Sequence, residues 1–256
     1  MTWAIRCTVS KRVCHKKIKE TDAIFEQLAE VHAQAQADDT VLRLSLDAKA
    51  TLNLGPFSRR GQTRGHVMAA DHDFKPDDHL TPYGIFLPGL DELYLYFTAS
   101  AVTADFIVDC LTDFWTTIRV SFPYVKTLLL NLDNGPENHS RRTQFMARLA
   151  AFADAFGLTI QLAYYPPYHS KYNPIERVWG VLEQHWNGDL LDSRQTVLWL
   201  ASTMTYNGFS PLIRLVETVY QTGVRLSTRA MADLEQRLER LTGLEKWFVR
   251  IVPSPP

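Results

Sequence analysis

The sequence predicts a mixed α/β protein with one central five-stranded sheet flanked by helices, and three observations carry that prediction. After a first helical segment, strand-like segments follow one another, beginning with the strict alternation of Val41 to Leu46. From residue 103 onward, apolar stripes of helical period alternate with short strand-like runs, as in parallel additions to one sheet. Finally, Thr127 to Leu132 is a nearly unbroken apolar run, which suits a strand covered on both faces. At 256 residues, with 46% hydrophobic and 21% charged side chains, the chain can bury a sizeable core and is neither fibrous nor disordered in composition. Its longest charge-free stretch, Gln195 to Ile213, is broken by Thr, Ser, Asn, Gly and Pro and does not suit a membrane span. The basic N-terminus lacks the apolar run of a secretory signal. Cys7, Cys14 and Cys110 lack metal-ligand spacing, which points to a reducing cytoplasm.

Taken in order, Thr21 to Gln36 reads as a helix with Ile24, Phe25, Leu28 and Val31 inward. In the first strand Leu42, Leu44 and Leu46 face one way and Arg43, Ser45 and Asp47 the other, so an acid stands at the strand's end. Residues 66–72 and 93–98 read as two more strands, with the polar, proline-containing stretch between them as a long loop. Thr103 can cap a helix whose stripe is Phe106, Ile107, Cys110, Leu111, Phe114, Trp115 and Ile118. The apolar strand 127–132 ends at Asp133-Asn134-Gly135. A helix carrying Phe145, Met146, Leu149, Phe152 and Phe156 follows, with Gly157 as its C′ residue, and residues 158–162 form a fifth strand. Another helix starts near Pro174, burying Ile175, Val178, Trp179, Leu182 and Trp186. Ser227 to Leu241 reads as a last amphipathic helix. The order β-β-β-α-β-α-β-α is that of the ribonuclease H-like fold. The expected organisation is a basic linker and helix over 1–40, a catalytic core over 41–190 and a helical extension over 191–256.

Net charge is −1, so nothing global announces a nucleic-acid partner, but the charges are unevenly spread. Residues 1–20 are basic, and residues 48–70 hold Lys49, Arg59, Arg60 and Arg64 with no acid; residues 71–92 reverse the sign. Three acids fall where ligands gather in an open sheet, beyond strand ends. Asp47 and Asp133 end strands, and Glu176 lies in the first turn of the helix after Pro174, with Gly180 leaving room one turn on. Each acid alone is ordinary, as a turn former or a dipole partner. Together they form a set of hard oxygen ligands that suits Mg²⁺, and two such ions can drive in-line attack at phosphorus.

The run from Tyr165 to Gly180, Tyr-Pro-Pro-Tyr-His-Ser-Lys-Tyr-Asn-Pro-Ile-Glu-Arg-Val-Trp-Gly, resembles the last catalytic block of DDE transposases, including the mariner-like branch. Leu130 to Asn138 resembles the second block and Leu44 to Lys49 the first. Phrases at 17–22, 55–59, 71–74 and 243–248 resemble one bacterial group, the Azo-type or Rhodopirellula-type insertion-sequence transposases, over roughly residues 16–250. The resemblance implies that Asp47, Asp133 and Glu176 hold two Mg²⁺ ions, with Mn²⁺ as a substitute. It further implies cleavage at transposon ends, joining of the 3′ hydroxyl to target DNA, double-stranded DNA as partner and a homodimer on that DNA. A bacterial, cytoplasmic, nucleoid-associated location follows, with no membrane and no nucleotide cofactor. Family members carry helix-turn-helix modules upstream. The first forty residues offer no room for one, so the chain reads as the catalytic half of a longer protein. The rival readings are a nuclease that hydrolyses without joining, and a non-catalytic remnant that binds DNA or a full-length transposase.

Around the acids, Asn134, Glu137 and Asn138 are expected to orient a ligand or water, and Asn173 serves equally as helix cap or site residue. Lys49, Arg59, Arg60 and Arg64 form a basic loop for DNA backbone. His169, Lys171 and Arg177 are expected to meet phosphate near the last block.

Overall fold

A computed structural model describes residues 17–56 and 78–255. Helix α1 (Thr21–Ala37) leads into β1 (Val41–Ala48) and the short β2 (Leu52–Leu54). β3 (Asp78–Leu87) and β4 (Glu92–Thr98) form a hairpin, followed by α2 (Ala104–Ile118) and β5 (Thr127–Leu132). Then come α3 (Thr143–Phe156), β6 (Thr159–Tyr164), α4 (Ile175–His185) and α5 (Arg194–Thr203). The chain continues through β7 (Leu212–Val216), α6 (Thr228–Glu235), β8 (Leu238–Arg240) and β9 (Phe248–Ile251).

All these strands join one mixed sheet in the order β7-β4-β3-β1-β5-β6-β9-β8, with β2 beside β3. β1, β5 and β6 run parallel, so the ends of β1 and β5 lie side by side. β3 is antiparallel to both β1 and β4. Local chemistry matches the sequence expectation in most of this. Thr103 caps α2 by accepting from the Phe106 N–H, and Gly157 closes α3 at φ 65°. Leu128 to Leu132 are all buried, as an interior strand requires. One apolar cluster joins the sheet to α1, α2 and α3; another joins it to α4 and α5, with Leu52 and Leu54 contributing.

Two expectations are corrected. The loop expected between residues 72 and 93 contains β3, buried from Leu80 to Leu87. Pro82 disguises it. The Pro82 carbonyl accepts from Lys49 N at 2.9 Å, so its missing N–H falls on the same edge, just past the Ala48–Tyr83 pair where β1 ends. The strand expected at 66–72 lies outside the described residues. The last segment is not wholly helical either. α6 stops at Glu235 because Leu238 to Arg240 pair with β9, and β9 pairs with β6. Over so short a segment, inward leucines satisfy the helical and the strand period alike. The sheet is therefore wider than five strands. Among the described residues no helix is long and apolar enough to cross a membrane.

Candidate active site

Asp47 is the penultimate residue of β1, on the face covered by α4. Its cross-strand partner is Gly84. A Cβ at Gly84 would lie 2.5 Å from Ile175 Cδ1 and 2.8 Å from the Trp179 ring, so only glycine lets α4 lie this close to the sheet. The approach brings Trp179 Nε1–H onto Asp47 Oδ2 at 3.1 Å.

The start of α4 is fastened to β1 by buried polar groups. Ser45 Oγ donates to Asn173 Oδ1 at 2.5 Å, Asn173 Nδ2 donates to the Leu46 carbonyl at 3.2 Å, and the Ile175 N–H donates to Ser45 Oγ at 3.0 Å. Asn173 is thus a strut between α4 and the strand that carries Asp47, and its side chain does not cap the helix. Glu176, half-buried, follows in the first turn, and Gly180 has open space one turn on.

Asp133 stands just past β5. Its Oδ1 accepts from Gly135 N at 3.1 Å and from Asn138 Nδ2 at 2.9 Å, across a turn that holds Asn134 at φ 63°. Tyr164 Oη braces this turn by donating to the Asn138 carbonyl at 2.7 Å, and Asn138 Oδ1 is buried with no partner. Asp47 feels the other two acids. Burial, then the charge of Asp133, then that of Glu176 push the Asp47 carboxyl up to about 7, and the Trp179 N–H offsets only part of the rise. The buried Tyr83 hydroxyl, also without a partner, is held well above its usual range by burial first, with Cys110, Asp47 and Asp133 adding to it.

These side chains fit a hard divalent cation by chemistry: carboxylate oxygens whose mutual repulsion a cation relieves, beside an open glycine face. They do not stand as a closed ligand cage, since among the described residues no three Asp, Glu, His or Cys groups converge at metal-holding distance.

The other expected residues divide. Lys171 is exposed, its Nζ 5.1 Å from the Tyr172 ring centre, and Arg177 is exposed on α4. Lys49 instead pairs with Glu183 of α4 at 2.8 Å. Glu137 is engaged by Arg142 at 2.9 Å and by the Ala104 N–H at the start of α2, which ties the turn to two helices. His169 is buried, its Nδ1 2.8 Å from the Pro167 carbonyl and its ring edge-on to Phe25 of α1, so it packs the loop instead of facing solvent. Arg59, Arg60 and Arg64 lie outside the described residues. Sequence reasoning missed Ser45, Gly84 and the Trp179 N–H as parts of the site. Nothing in the linear pattern marks them, because each acts across more than ninety residues or through the absence of a side chain.

The mixed sheet and its flanking helices define a ribonuclease H-like fold. The chain matches the Rhodopirellula transposase DDE domain over residues 4–253 and belongs to that family. No curated protein is significantly similar in sequence. Among solved structures, the Mos1 transposase paired-end complex with left transposon end is similar at TM-score 0.50 and 11% identity, over 75% of this chain and 56% of that one. The Mos1 mariner paired-end complex with Mn is similar at TM-score 0.50 and 12% identity, over 78% and 60%. The Mos1 strand transfer complex matches at 0.50 and 11%, over 77% and 59%. The chain thus spans well under two thirds of those transposases.

Proposed function

We infer that this transposase DDE domain cleaves DNA phosphodiesters at transposon ends and joins the freed 3′ hydroxyl to target DNA. The observation that carries the reading is the Asp47, Asp133 and Glu176 grouping, in which one carboxyl is pushed up to about 7 partly by the other two. These three residues would hold Mg²⁺, or Mn²⁺ in its place, as two ions. Bound there, the metal supplies an activated water or hydroxyl and stabilises charge at phosphorus.

This chain's own residues set the geometry. Asn138 and the Gly135 N–H fix one oxygen of Asp133, leaving the other for the ion. Trp179 orients Asp47. Ser45 and Asn173 hold the start of α4 so that Glu176 stays beside the strand ends. Lys171 and Arg177 meet the DNA backbone next to the acids, with Arg59, Arg60 and Arg64 extending that contact. The named Mos1 complexes support DNA as partner; a homodimer on that DNA, in the bacterial cytoplasm, completes the reading.

The test is nicking of supercoiled plasmid in Mn²⁺, with a second assay offering a pre-cut 3′-hydroxyl end and a plasmid target. Wild type nicks and joins, and Asp47→Asn, Asp133→Asn and Glu176→Gln each fall to background while keeping a cooperative melt. Nicking without joined product makes the chain a hydrolytic nuclease. A wild type that binds DNA but never nicks it makes it a non-catalytic domain, and metal-dependent nicking retained in all three variants removes the acids from the mechanism.

A further inference from the structure

A sizeable cavity lies at the other end of the sheet from the acids. It has a volume of about 820 Å³, within the range of small-molecule sites. The end of α1, the start of β1 and the β3–β4 turn line it, and Arg43 contributes to its wall beside the apolar Val41, Leu42, Phe122 and Val125. Arg43 shares a strand with Asp47 four residues on, so the two sites are roughly 13 Å apart along the backbone.

Arg43 is the unusual feature. Its Nε donates to Asn131 Oδ1 at 2.7 Å and it hydrogen-bonds the Tyr165 hydroxyl, both neutral partners. No carboxylate pairs with it among the described residues, though it is largely withdrawn from water. Taking a guanidinium out of water without an opposite charge is costly, and structural arginines are compensated. Beside it, His32 also lines the cavity, its Nε2 buried with no partner. Burial, and then the Arg43 charge, push His32 down to about 4, so the ring is neutral; its one N–H is engaged by Asn131, which leaves Nε2 as an acceptor. The mouth is apolar on one side, where Leu90 is 45% exposed, and acidic on the other, at Asp38 and Asp39. Asp38 is turned onto its own loop, accepting from Thr40 N at 2.9 Å and from Thr40 Oγ1 at 2.7 Å. Two acids at the entrance weigh against a polyanion such as DNA, so a guest anion must be small enough to seat past them against Arg43.

We propose that this cavity binds a small anion carried on an apolar body, a carboxylate or a phosphate, received by the Arg43 guanidinium. The site is separate from the acidic one and independent of its chemistry.

The experiment is a thermal-shift titration of the full chain with benzoate and, separately, inorganic phosphate. It is run on wild type, Arg43→Met, Leu90→Trp and Asp133→Asn. A saturable rise in Tm is expected for wild type and Asp133→Asn and is lost in Arg43→Met, whose Tm without ligand reflects both the removal of a desolvated charge and the loss of a partner for Asn131 and Tyr165. Leu90→Trp fills the mouth from an exposed position and loses the response with its fold intact, so it decides the matter if Arg43→Met fails to fold. A response to benzoate alone identifies a carboxylate ligand; a response to phosphate alone identifies a phosphorylated one. No saturable shift with either anion, or one that survives in Leu90→Trp, overturns the proposal.

Discussion

Asp47 shows how a single side chain can work against the fold that holds it. Its ordinary ionisation lies near 3.8, and in the folded chain burial and two neighbouring acids move it to about 7. Between those values the unfolded chain has released its proton and the folded chain has not, so stability falls as pH rises from about 4 to 7. Asp47→Asn removes that loss. Its Tm in EDTA exceeds that of wild type by several degrees at pH 8, on the scale of about 2–4 °C per kcal/mol, and the gap closes below pH 4. A gap that stays constant from pH 4 to 8 would mean that burial and repulsion are not its cause. At this scale the sequence exposed the acids, because Asp133 precedes Asn-Gly and Glu176 follows Asn-Pro-Ile. It hid their supports. The hydrogen bond between Asn138 and Asp133 is local and was within reach, whereas the Trp179 indole looked like one more core residue in an apolar stripe. The burial of His169 depends on Phe25 of another helix, which no local pattern reveals.

The helix α4 carries Glu176, and its seating depends on two features of unlike kind, a polar clamp and a missing side chain. Asn173→Ala leaves Ser45 and the Leu46 carbonyl buried without their partner and should cost about 1–3 kcal/mol. Gly84→Val drives a branched side chain into Ile175 and Trp179, at a cost of about 1–3 kcal/mol or more. Urea melts give both stabilities, and Trp179 reports the second change directly through a red shift in fluorescence. The two variants should also lose nicking beyond what their stability explains, measured well below their melting temperatures. Unchanged nicking in both would mean that the seat of α4 does not govern the site. Long elements were legible: the stripes of α2, α3 and α4 and the apolar run of β5 all fall where periodicity puts them. The failures are short or interrupted segments. Pro82 made β3 look like a loop, although it costs the sheet only one donor, just past the last pair of β1, and β8 and β9 are too short for their period to distinguish strand from helix.

At the scale of the whole molecule, the last third of the chain supplies both margins of the sheet. β7 lies outside β4 at one side, and β9 with β8 lies outside β6 at the other. The second margin also braces the turn after Asp133: Ser140 Oγ donates to the Lys246 carbonyl at 2.9 Å, and the Arg240 guanidinium to the Ser140 carbonyl at 3.1 Å. Removing residues 237–256 should therefore disable the acidic site from a distance. The expected outcome is loss of the cooperative melt and of near-ultraviolet dichroism; a truncated chain that melts like wild type would show the margin to be dispensable. The same arrangement sets an order of events at the ribosome. β6 is made some 87 residues before the end of the strand that covers its outer edge. At 5–20 residues per second it waits roughly 4–17 s with its N–H and C=O row unpaired. For that interval the nascent chain carries a ready template for any passing strand. Messages cut short before β9 would yield sticky fragments and not merely inactive ones.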